Sequence, residues 1–150
     1  MSVQISANAA NLAFIKHGMP AVSRTNQTIA QDAGRSAALA PFTLMAKVAA
    51  SGKWTPFIDE TATDGTAIPQ GIYIGSSIAA ATLVAGDVSN VEILTGNAIY
   101  DKNLLVIEAS KTLDTVITVG TTDLRTVRDQ LANRNLYDSD SIDVTEYENS

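Results

Sequence analysis

Residues Phe42–Phe57 read FTLMAKVAASGKWTPF, and the spacing of their apolar side chains decides the fold. Leu44, Ala46 and Val48 recur at every second position, which puts them on one face of an extended strand. Gly52 marks a turn, and KWTPF then resumes an extended run. Pro56 has no N–H to give a ladder, so this second strand ends there or runs along an edge.

The same grammar continues downstream. QGIYIG (70–75) is a short apolar run between glycines and reads as a buried strand. ATLVAGDVSNVEILTG (81–96) suggests two short strands around a Gly86-Asp87 turn, and AIY (98–100) with LLVIEA (104–109) suggests another pair. Frequent turns and short strands predict a mainly β body, a β-clip, small barrel or sandwich. One helix is signalled in TTDLRTVRDQLANRN (121–135): Thr121 or Thr122 as N-cap, Asp123 in the first turn, and Leu124, Val127 and Leu131 on one face. Arg125, Arg128 and Asp129 fall on its outer side, Asn133 or Asn135 ends it, and LYD (136–138) supplies a last strand.

Residues 1–40 differ. They are rich in Ala, Asn, Gln and Ser, carry no sustained period, and hold Lys16, His17, Arg24 and Arg35 against Asp32 alone. They read as an extended arm that folds against a partner, so the organisation expected is arm 1–40, β-rich domain 41–137 and tail 138–150. That tail holds Asp138, Asp140, Asp143, Glu146 and Glu148 and no base. Of the chain's 16 acids this leaves eleven against ten bases elsewhere, so a nearly neutral body carries a charged end. A surface without a basic patch is a poor partner for phosphates, which argues against nucleic acid. The chain has no cysteine, hence neither disulfides nor thiolate metal sites. No stretch is apolar for long enough to cross a bilayer and no leader pattern opens the chain, so the expectation is a soluble protein made in the cytoplasm, away from membranes.

Catalytic chemistry finds little to stand on. DETATDG (59–65) offers Asp59, Glu60 and Asp64. As a calcium loop with Gly65 sixth, it has Ala62 where the third ligand belongs and Gly71 where a bidentate glutamate belongs. A glycosidase-type pair needs two carboxyls in contrasting environments across a pocket, whereas these acids crowd one polar turn. The plainer reading is an Asp-Gly turn, in which Gly65 accepts positive φ and Asp64 bonds its own backbone. His17 is the single histidine, and no GxSxG, phosphate-binding loop or dinucleotide fingerprint accompanies it. No metal, cofactor or catalytic residue is expected. Trp54 and Tyr73 are either core or anchors between chains.

The order of ALAPFTLMAKVAASGKWTPF, TDGTAIPQGIYI and NVEILTGNAIY resembles the bacteriophage head decoration proteins of the lambda type. The resemblance runs from about Ala40 to Tyr100, through the proline-led entry strand (Pro41, Phe42, Leu44), Lys53-Trp54, Thr63-Asp64-Gly65, Gly71-Ile72, and Gly96 before Tyr100; the helix and strand at 122–137 are also similar. Residues 101–121 and 138–150 look like additions. The resemblance implies a non-enzymatic homotrimer on the outer surface of an expanded phage capsid, bound to the major capsid protein and cementing neighbouring capsomers. Val3, Ile5, Leu12, Phe14 and Ile15 are the expected capsid-binding residues of the arm, since VQISA or NLAFI would add a strand to a capsid edge. Pro41, Phe42, Trp54 and Pro56 are the expected trimer or capsid contacts. Three tethered arms would make weak contacts tight through effective concentration. A β-rich adhesin or tail-associated virion module, and a small hydrolase using Asp59 or Asp64, are the alternatives.

Overall fold

The computed structural model describes residues 14–23, 25–119 and 124–139. In chain order the elements are β1 (Ile15–Ser23), β2 (Thr28–Ile29), β3 (Leu44–Lys47), β4 (Trp54–Pro56), β5 (Pro69–Tyr73), α1 (Ala80–Ala85), β6 (Val88–Ser89), β7 (Ile93–Tyr100), β8 (Val116–Ile117), β9 (Arg125–Thr126), α2 (Val127–Ala132) and β10 (Leu136–Asp138). The fold is mainly β. One sheet runs β1-β7-β5-β3-β4-β2-β6, β10 adds to it by parallel pairing with β7, and β8 with β9 form a separate ribbon.

Period-two alternation sorts the side chains onto the two faces of this sheet. Leu44 and Ala46 of β3, Ile72 of β5 and Leu94 of β7 enter one core, with Phe14, Phe42, Phe57 and Tyr100. Met45, Tyr73 and Ile93, each next to one of those in sequence, enter a second core with Ile29, Leu39, Trp54 and Leu83. Helix α2 and residues Leu113 and Ile117 cover the first face, while Leu83 of α1 covers the second. The hairpin forms as its sequence predicts: Met45 pairs with Pro56 and Lys47 with Trp54, Gly52 has φ 68°, and β4 stops at Pro56.

Several expectations are corrected. The first concerns the arm, because residues 14–40 belong to the body. β1 pairs antiparallel with β7, Ile29 pairs with Trp54, and Phe14, Ile29 and Leu39 are each at most 1% exposed. Phe14 stacks on Phe42 at 4.3 Å between ring centroids. Large aromatic burial of this kind, about 1.5–3 kcal/mol per side chain, outweighs the polar composition around it. Residues 80–85 are helix rather than strand: the alanine-rich run favours helix, and Leu83 docks it on the second core. The segment 104–109 contributes a bridge from Val106 to Thr43 rather than a strand paired with 98–100, which are continuous with β7. Helix α2 starts at Val127, since Arg125 and Thr126 are held in the ribbon with β8, and Leu124 is 76% exposed. Thr126 caps it, accepting from the Asp129 N–H while the Asp129 carboxylate accepts from the Thr126 N–H. Thr121, Thr122 and Asp123 lie outside the described residues, as do Val3, Ile5, Leu12 and tail residues 140–150. Asp138 is a buried member of β10 rather than a tail acid.

Candidate functional site

The acidic turn is built from two Asp-x-Thr units, 59–61 and 64–66. Asp59 Oδ1 accepts from the Thr61 N–H at 2.8 Å and its hydroxyl at 2.6 Å. Asp64 Oδ1 accepts from the Thr66 N–H at 3.0 Å and its hydroxyl at 2.5 Å. These bonds favour the charged forms and hold both carboxyls below the usual aspartate range. A general acid needs the opposite shift. Glu60 makes an ion pair with Lys111 at 2.6 Å, which fastens the turn to the segment after β7. Gly65 has φ 97°, and the Asp64 carbonyl accepts from the Ala49 N–H at 2.8 Å, so the turn closes against the end of β3. Its chemistry is that of a chain reversal. Among the described residues no group of three or more His, Asp or Glu is placed to hold a metal ion.

The expected contact residues behave differently from one another. Trp54 is 2% exposed, its indole N–H donates to Gln27 Oε1 at 2.7 Å, and the Lys47 ammonium lies 4.7 Å from its ring centroid. It is a core residue with its one polar atom satisfied. Phe42 is buried under Phe14 with φ 68°, and Pro56 is buried at the end of β4. Only Pro41 of these four keeps partial exposure. Phe14 is likewise core, and Ile15 opens β1 opposite Tyr100.

What the surface does present is an edge. β1 is nine residues long and terminates the sheet, whereas β6 at the far end has two residues. Among the described residues no strand pairs with the outer side of β1. An open edge of that length is a template for another chain. Pro20 and three register shifts interrupt it, which confines pairing to short stretches. His17 and Gly18 pair with Ile99 and Ala98, so His17 is part of this strand. In sequence, residues 1–13 precede this edge, with the buried Phe14 between them.

Two ion-pair clusters were not legible in the sequence. Arg35, its side chain 7% exposed, grips Glu108 through both terminal nitrogens, at 3.2 and 2.5 Å. Arg128 bridges Asp114 and the buried Asp138, whose Oδ2 accepts from Arg128 Nε at 2.8 Å. These two partners hold the guanidinium charged, and burial near Asp138 pushes the Tyr100 hydroxyl's pKa up. Both clusters pin the segment 101–115 onto the body. Compared with protein-family models, with curated proteins and with solved structures, the chain matches none.

Proposed function

We propose that the protein is a structural virion component that binds the outside of an expanded phage capsid as a homotrimer and cements neighbouring capsomers. The observation that carries this reading is the open, nine-residue edge strand β1, which residues 1–13 precede in sequence. It offers backbone groups for strand addition to a capsid edge, and the segment before it supplies further length. Because Phe14 is core, the binding arm on this reading is residues 1–13, with Val3, Ile5 and Leu12 its apolar contacts. The resemblance of residues 40–100 to lambda-type decoration proteins, read from residue order alone, favours the same reading. The working parts are then a rigid body and a tethered arm, with no reaction to perform.

The test mixes the purified protein with undecorated expanded capsids and counts copies bound per shell. Saturation at three copies per local threefold position supports the reading. Absence of binding, or binding to host-surface glycans instead, would replace it with the adhesin reading.

A further inference from the structure

A cleft of about 370 Å³ lies between the chain just after β7 and the loop leading to β8. Leu105, Ile107 and Leu113 give it an apolar lining continuous with the first core, and Lys102, Lys111 and Asp114 line it with charge. Asp114 is held by Arg128, and the same guanidinium holds Asp138, the last residue of β10. Asp138 also pairs with Tyr100, two residues before Lys102. The described chain therefore ends at Ser139 within a guanidinium's width of one cleft wall and beside the start of the other.

We propose that this cleft receives the protein's own C-terminal segment, residues 140–150. Three observations select it. First, the exit point lies at the cleft, and eleven residues extended reach about 35 Å, more than enough to cross it. Second, the segment DSIDVTEYENS carries Asp140, Asp143, Glu146 and Glu148 and no base, and the cleft lining holds Lys102 beside Lys111, which Glu60 also engages, and Asp114, which Arg128 holds. Third, Ile142 and Val144 alternate with Asp143, so an extended Ser141–Thr145 lays both apolar side chains on the Leu105–Ile107–Leu113 lining and turns the acid outward. The N-terminal segment also begins near the end of β7, since the Asp101 N–H donates to the Phe14 carbonyl. It has no charged side chain in residues 1–13 and so lacks that complementarity. The inference does not depend on capsid binding.

Tethering sets the magnitude. A short flexible connection gives an effective concentration of about 1 mM, so a segment that binds in trans with Kd about 0.1 mM occupies the cleft roughly nine-tenths of the time. Amide exchange at residues 102–107 and 111–114, followed by NMR, reads this directly. The full chain should exchange there about tenfold more slowly than a chain ending at Ser139, with other core amides unchanged. A synthetic peptide of residues 139–150 should restore the protection, and the peptide carrying Ile142→Asp and Val144→Asp should not. The same pair of substitutions in the full-length protein, outside the folded body, gives the second readout should the shortened chain fold poorly. Equal exchange in all these forms overturns the proposal. So does protection that rises with protein concentration, which assigns the cleft to a neighbour's tail. Loss of protection on removing residues 2–12 instead assigns it to the N-terminal segment and likewise overturns it.

Discussion

At Gly65 a Cβ would sit 2.9 Å from the Lys47 carbonyl oxygen and 3.0 Å from the Ala49 nitrogen, at a φ of 97° that L-residues rarely adopt. Gly65→Val should therefore cost at least about 1–3 kcal/mol from backbone strain alone and lower Tm accordingly. Asp64→Asn keeps the Oδ1 acceptor that both Thr66 donors use but loses the charge, and should lower Tm slightly at neutral pH while leaving function intact. Loss of function in Asp64→Asn with an unaltered Tm would return that carboxylate to catalysis. Its charge contributes at neutral pH, and that contribution disappears in acid. Asp59, Asp64, Asp87 and Asp129 have lowered folded-state values, chiefly through hydrogen bonds from Thr61, Thr66, Lys53 and Thr126 respectively. Depressed carboxylates stabilise fully above their unfolded value of about 3.9, and that contribution is lost as pH falls through the folded values. Calorimetry should show Tm falling below about pH 4, with a shallower acid limb in Asp64→Asn; identical limbs would refute the assignment. The turn was legible because Asp-Gly geometry is local. Arg35 and Glu108 were not, being 73 residues apart and joined by folding.

At the scale of elements, the strands from β3 to β5 follow the spacing in FTLMAKVAASGKWTPF and QGIYIG, where alternation and turn residues agree. The segment 121–135 shows where local signals compete. A helix from Thr121 satisfies the apolar spacing of Leu124, Val127 and Leu131, yet pairing of β9 with β8 takes residues 125 and 126 and shifts the cap to Thr126. Val127 and Leu131 keep their predicted burial and Leu124 does not. Thr126→Ala removes the cap's acceptor and should cost about 1 kcal/mol. Arg128 ties α2 to β10 and to Asp114 at once, a role invisible from its place on a helix's outer side. Arg128→Met leaves the Asp138 carboxylate, 1% exposed, without its guanidinium. A loss of about 3 kcal/mol in denaturant unfolding is expected, at the low end for a broken buried pair because Arg128 itself is partly exposed. Adding Asp138→Asn should recover part of it. A double variant no more stable than Arg128→Met would show that the cost lies in lost packing rather than in the lost ion pair.

Across the whole molecule, the two ends of the described chain flank the same strand end: Ile15 pairs with Tyr100 on one side of β7 and Asp138 pairs with it on the other. Whatever residues 1–13 do, they act from a fixed point on the body, and Phe14 is that anchor. Sequence composition placed the arm's boundary near residue 40, since alanine, asparagine and serine give no period. Packing places it at Phe14, because one aromatic ring between Phe42 and Tyr100 settles what composition leaves open. Two deletions separate these boundaries. Removing residues 2–38 takes away β1, β2, Phe14 and Ile29, which strips an edge from β7 and a member from each core. With roughly 5–15 kcal/mol of total stability to lose, that chain should not melt cooperatively. Removing residues 2–12 spares every described contact and should leave a body that still melts cooperatively. If the arm cements capsids, this second, folded variant should decorate expanded shells far more weakly, since three tethered contacts vanish from each trimer together. Undiminished decoration by the 2–12 deletion would move the capsid contact onto the body, with the outer edge of β1 the first place to look. A cooperatively folding 2–38 deletion would instead mean that the sheet closes without β1, and that strand would then belong to the arm.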